Sequence, residues 1–266
     1  MWVLFLIGLY VVVVAVMWSF ENSFVYPRSI AADHWEEPPD RAIDEATFPS
    51  ADGNTIHGWY LPVAESKQVF IICHGNAGNL SMRGKSLLRF NELLGCNVLI
   101  FDYPGYGKST GKPSEAGCYA SADAAIHWLR DVKGIPPERV ILYGDSLGGG
   151  IAVEAALRHP VSALILCKTF TSAPAAAKRR FFWIPVYWLM SNRFDNLSKM
   201  PRLRCPVFIA SATLDEVVRF EMGKELFDAA PEPKEFMALE GERHNDRLTV
   251  EFLLALKAFL ARQRVL

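Results

Sequence analysis

The sequence predicts an α/β fold: a mostly parallel central sheet with helices on both faces. Two observations carry this. From Val69 onward, short apolar runs alternate with stretches of helical length and pattern, as successive βαβ units require. Apart from Glu235, the runs are also apolar throughout, rather than alternating in polarity, which suits strands covered on both faces. At 266 residues the chain has room for one large domain, and no internal repeat or break calls for a second.

Strands are expected over 69–73, 98–101, 140–143, 163–167, 207–210 and 235–239. Helices are expected over 81–94, 115–133, 147–158, 219–229 and 248–264. Upstream, 46–48 and 55–61 flank the turn signal Ala51-Asp52-Gly53-Asn54, which predicts a β-hairpin. These elements make 42–266 one domain. A single interval, 171–200, breaks the alternation. It carries the apolar run 181–190 directly after Lys178-Arg179-Arg180, and it is longer than a simple crossover needs. One reading is a core helix pair kinked at Pro185. The other is a cap over the site, in which Trp183, Tyr187 and Trp188 face a bound acyl chain or a membrane interface.

The front of the chain is different. Residues 2–18 hold no charge, and at about 1.5 Å rise per residue they reach roughly 25 Å, near the lower limit for a bilayer span. A cleaved signal peptide would place basic residues before the run and small residues after it. Here Met1 leads straight into Trp2, and the run ends in Met17-Trp18-Ser19-Phe20. A buried core helix competes less well, because Val11-Val12-Val13-Val14 and its neighbours have no polar face. The expectation is a single-pass transmembrane anchor over 1–20 that contributes nothing to the active site. A polar stalk rich in proline and acidic residues follows over 21–41. Arg28 and Arg41 lean the domain toward the cytoplasm, but two charges leave the side of the membrane open.

Composition narrows the partners. The net charge is −1, and no basic stripe is interleaved with stacking aromatics, so nucleic acid is not an expected partner. The five cysteines, Cys73, Cys96, Cys118, Cys167 and Cys205, are scattered through or beside apolar stretches and read as buried thiols. No His-x-x-x-His or paired-cysteine spacing points to a metal, and no cofactor is expected. Gly107-Lys108-Ser109 shares three residues with a phosphate-binding loop, but Asp102 stands where that loop needs its first glycine. Asn79 and Asn196 each begin an Asn-Leu-Ser glycosylation triplet, a pattern common by chance.

The chemistry centres on Gly144-Asp145-Ser146-Leu147-Gly148, a G-x-S-x-G motif between an expected strand and an expected helix. A strand turning sharply into a helix strains its middle residue and exposes that residue's side chain, while flanking glycines remove atoms that would collide. Ser146 is therefore the expected nucleophile. Its hydroxyl needs a base, and the base needs an orienting acid. Among the histidines that follow, His159 ends a helix pointing away from the strand tips, which leaves His244 in its polar loop as the base. Asp215 follows the strand 207–210 within a short loop and is the expected acid. Glu216 is its immediate rival and Asp195 a more distant one. The backbone N–H of Leu147 is one expected donor to an oxyanion, and that of Asn76, in His74-Gly75-Asn76-Ala77-Gly78-Asn79, the other. His74 is expected to brace that loop.

With these motifs in order, the chain resembles the α/β-hydrolase superfamily, in its branch of small, N-terminally anchored proteins with an HGNAGN loop. The shared stretches are 73–79, 101–109, 140–150, 169–172 and His244-Asn245-Asp246, and the resemblance covers residue 46 to the C-terminus. It implies an α/β-hydrolase fold and a serine hydrolase acting on acyl esters or thioesters, with Asn76 and Leu147 as oxyanion donors. Three positions depart from the pattern: Ser211-Ala212 replaces a His-Gly pair before the acid, Arg219 replaces a proline after it, and Lys168 occupies a place otherwise small or polar. The expected substrate is a small-molecule or lipid-like apolar acyl compound. A serine peptidase of the same fold is an alternative, although nothing marks an amine-binding glutamate pair or a propeller domain. A catalytically silent membrane scaffold is another, opposed by the presence of Ser146, Asp215 and His244 together.

Overall fold

Five of the six apolar runs become interior strands of one sheet, and the sixth, 235–239, becomes its edge. The computed structural model describes residues 1–27 and 34–266. Arg28 and the middle of the expected 21–41 stalk lie outside the described residues. In chain order, α1 (Trp2–Ser19) and α2 (Glu21–Val25) precede the hairpin of β1 (Asp44–Pro49) and β2 (Thr55–Leu61). Then follow β3 (Val69–Cys73), α3 (Gly84–Leu94), β4 (Asn97–Phe101), α4 (Glu115–Val132), β5 (Val140–Asp145), α5 (Leu147–Arg158) and β6 (Ala163–Cys167). The chain continues through α6 (Ala173–Arg180), α7 (Val186–Leu189), β7 (Val207–Ala212), α8 (Phe220–Ala229), β8 (Lys234–Leu239) and α9 (Val250–Arg262).

The eight strands lie in the order β1-β2-β4-β3-β5-β6-β7-β8. The hairpin pairs antiparallel within itself and against β4, and every other neighbouring pair is parallel. Successive residues of each central strand point to opposite faces, so the sheet separates two apolar layers. Ile71, Leu142, Leu164 and Ile209 pack with α4, α5 and α8; Phe70, Ile141, Ile165 and Phe208 pack with α3 and α9. This double coverage is why the runs show no polar alternation. Helix ends are set locally: Ser114 accepts from the Gly117 N–H and Thr249 from the Phe252 N–H, while Gly95 closes α3 in the left-handed region.

The described part of 21–41 lies along the domain rather than standing away from it. The Glu21 carboxylate accepts from the N–H groups of Ser191 and Asn192 and from the Asn192 amide. Tyr26 is fully buried, and its hydroxyl donates to Asn192 Oδ1 at 2.7 Å. Trp35 packs edge-on against Trp59. These polar residues had suggested a solvated spacer; what they hold instead is the 190s loop. The five cysteines are buried and unpaired. Both sequon asparagines are buried and engaged, Asn79 accepting from Ser81 and donating to the His34 carbonyl, and Asn196 donating to the Phe170 carbonyl.

Candidate active site

Because β5 ends at Asp145 and α5 begins at Leu147, Ser146 alone makes the turn. Its backbone sits at φ 52° and ψ −114°, a conformation that costs a non-glycine residue about 1–3 kcal/mol. Hydrogen bonds hold it there: the Ser146 N–H donates to the Cys167 carbonyl at 2.9 Å, and the Gly149 N–H donates to the Ser146 carbonyl at 3.0 Å. Two glycines make the turn sterically feasible. A Cβ on Gly148 would lie 1.9 Å from the Cys73 carbonyl oxygen, and one on Gly144 would lie 2.4 Å from Gly149 Cα.

The loops after β7 and β8 bring the other two residues to Ser146. His244 Nε2 is 3.0 Å from Ser146 Oγ, and His244 Nδ1 is 2.7 Å from Asp215 Oδ2. An ionised carboxylate only accepts, so Nδ1 carries the proton and Nε2 is left with a lone pair facing the hydroxyl. Asp215 is itself buried and held, its Oδ1 accepting from the N–H groups of Val217 at 2.8 Å and Val218 at 2.7 Å. Glu216 does not face the imidazole; its Oε2 lies 3.5 Å from the His244 backbone nitrogen and braces the loop. Asp195 is exposed and accepts from the Ser198 N–H, and His159 bonds Asp123 on the flank of the domain.

The glycine-bearing loop after β3 lies alongside. A Cβ on Gly75 would come within 3.7 Å of Ser146 Cβ, which places Asn76 next to the serine. The N–H groups of Asn76 and Leu147 have no acceptor among the described residues, and both residues line the same cavity as Ser146. Buried tyrosines fix the loop from behind: Tyr103 donates to the His74 carbonyl at 2.7 Å and Tyr106 to the Asn76 carbonyl at 3.0 Å. His74 stacks on Tyr103, and its Nε2 lies 3.2 Å from the fully buried Asp102, which also accepts from the Leu80 N–H. His74 is thus a brace within the loop's foundation.

Lys168 is a site residue whose contribution the sequence did not reveal. It too sits in the left-handed region, at φ 51°, and is almost wholly buried. Its ammonium donates to the Asp246 carbonyl at 2.9 Å and lies 3.3 Å from the Glu242 carboxylate, so it ties β6 to the loop carrying His244. The unusual residue type at this position was the signal that could have found it. Burial pushes the thiols of Cys73 and Cys167 well above their ordinary range, so neither is a thiolate near neutrality.

These residues open onto a cavity of about 1010 Å³. From the 171–200 interval it takes the apolar Phe181, Ile184, Val186, Leu189 and Met190, together with Arg179 and Arg180 and three alanines of α6. Trp183, Tyr187 and Trp188, expected at the substrate, do not line it and are 42%, 56% and 84% exposed. For Tyr187 and Trp188 the reason is local: α7 is a single turn begun by Pro185, and its period sends Val186 and Leu189 inward and the two residues between them outward. Among the described residues no group of three or more His, Cys, Asp or Glu side chains is placed to hold a metal.

Known proteins resemble this chain in sequence and in fold. A sequence model of the α/β hydrolase fold matches residues 68–199. An uncharacterized protein of Mycobacterium tuberculosis is 31% identical over 259 residues, spanning 96% of this chain and 92% of its own length. Human alpha/beta hydrolase domain-containing protein 17B is 35% identical over 222 residues, covering 81% of this chain and 74% of its own. Among solved structures, an esterase of Pyrococcus furiosus superposes with a TM-score of 0.71 at 20% identity, covering 87% of this chain and 94% of its own. With its sheet order, its strand–serine–helix turn and these relatives, the chain belongs to the α/β-hydrolase family.

Proposed function

We propose that the protein is a serine hydrolase that cleaves carboxylic ester or thioester bonds of an apolar acyl substrate. The observation that carries this reading is the aligned chain from Ser146 Oγ to His244 to Asp215, opening onto a largely apolar cavity. His244 Nε2 takes the hydroxyl proton as Oγ attacks the acyl carbonyl, and Asp215 stabilises the imidazolium that forms. The Leu147 and Asn76 N–H groups receive the developing oxyanion, aided by the N-terminus of α5. His244 then protonates the leaving group, and a water activated by the same imidazole releases the acyl chain from Ser146. No cofactor takes part. The name of the P. furiosus neighbour, an esterase, agrees with this reaction class.

The N-terminal helix, apolar and exposed over residues 2–13, holds the domain to the membrane in this reading. The exposed Trp183, Tyr187 and Trp188, just beyond Lys178, Arg179 and Arg180, then suit the membrane–water interface. Replacing Ser146 with Ala tests the chemistry. Turnover of p-nitrophenyl esters should fall by roughly 10⁴-fold or more, and burst kinetics surviving in Ser146→Ala would refute the assignment.

A further inference from the structure

The apolar N-terminal helix was expected to stand outside the active site, yet it forms part of the wall. Along α1 every residue is exposed except Val14 and Met17, which are half-buried. Both line the cavity that holds Ser146, and Trp18, Glu21, Phe24 and Val25 continue the lining. Positions 14, 17, 18 and 21 recur at helical spacing, so they form one stripe turned toward the domain. Val14 to Trp18 covers about 6 Å of α1, and α2 extends the wall beyond the break at Phe20.

The stripe is fixed against the domain at several points. The Tyr10 hydroxyl donates to the Trp183 carbonyl at 2.9 Å, and the Phe24 and Phe181 rings meet edge to face with centroids 5.8 Å apart. Glu21, the one charge that α1 and α2 bring to the wall, accepts from the N–H groups of Ser191 and Asn192, while Arg179 and Arg180 at the end of α6 add two cations to the opposite side. The Asn76 side-chain amide donates to the Val25 carbonyl at 3.1 Å, which couples the end of α2 to the loop beside Ser146. Across the groove stand Phe181, Ile184, Leu189 and Met190.

We infer that α1 and α2 form half of the acyl-binding site, and that the substrate's acyl chain lies between them and the α6–α7 segment with its carbonyl at Ser146. The inference rests on the hydrolase reading above and adds what selects the chain. A groove lined by Val, Met, Phe and Ile favours medium and longer acyl groups over acetyl, because each added methylene leaves water.

The test uses full-length protein in detergent micelles and compares kcat/KM for p-nitrophenyl decanoate and acetate. Val14→Trp and Met17→Trp fill the groove. Val12→Trp adds the same bulk on the opposite face of α1, and Met17→Ala widens the groove. Labelling by a fluorophosphonate reports which variants retain a working Ser146. The decanoate-to-acetate ratio should fall by about tenfold or more in the filling variants, stay at the wild-type value in Val12→Trp, and shift toward longer chains in Met17→Ala. An unchanged ratio in filling variants that still label overturns the inference, as does an equal shift in Val12→Trp. If the filling variants fail to label, an unchanged profile in Met17→Ala overturns it. Wild-type protein that neither labels nor turns over either ester removes the hydrolase reading, and the groove assignment with it.

Discussion

Asp215 and Glu216 are neighbours in sequence, and one step of backbone separates their tasks. Asp215 meets the imidazole at 2.7 Å and is locked by two backbone N–H groups, while Glu216 reaches only the His244 backbone. Asp215→Asn should therefore lower kcat by about 10⁴-fold, because an amide at that place no longer enforces the Nδ1 proton. Glu216→Gln should stay within about tenfold, since it loosens a loop contact and leaves the imidazole paired. Steady-state kinetics on one ester decides this, and the reverse ranking would move the acid to Glu216. At this scale the convergence of Ser146, Asp215 and His244 was legible, since a motif between strand and helix dictates backbone geometry and the chain order supplies the partners. Lys168 was visible only as an odd residue type, because its bonds cross from β6 to a loop some eighty residues away. The outward turn of Tyr187 and Trp188 was not legible. A helix one turn long starting at a proline has too few residues for a period to show which side faces in.

At the scale of elements, the strands and most helices could be read to within a few residues, because burial on both faces and helical period are local signals. The 21–41 segment could not. Its polar residues carry the signature of a solvated linker, and only the fold shows that Glu21 finds N–H donors about 170 residues later. A bond from N–H to a charged acceptor contributes about 1.5–3 kcal/mol. Glu21→Ala, which removes the acceptor, should lower stability by about 2 kcal/mol, and with it the midpoint of thermal unfolding by roughly 4–8 °C. Scanning calorimetry or tryptophan fluorescence in micelles checks this. An unchanged midpoint would mean that α2 contributes nothing to holding the 190s loop.

For the whole molecule, the parallel sheet and the placement of the site at its strand ends followed from the alternation of runs and helices. The joint wall built by the first helix and the 171–200 interval did not, because apolar residues suited to a bilayer also suit a substrate groove, and sequence alone does not separate the two. The groove reading depends on one central claim, that Ser146 is an activated nucleophile. The most direct measurement is mass spectrometry of tryptic peptides after reaction of the full-length protein with a fluorophosphonate. Ser146 lies in the peptide 140–158, bounded by Arg139 and Arg158, and is its single serine. The account predicts a stoichiometric adduct on that serine, absent from Ser146→Ala and lost on prior denaturation. Modification confined to another peptide, or none on protein that turns over esters, would contradict it.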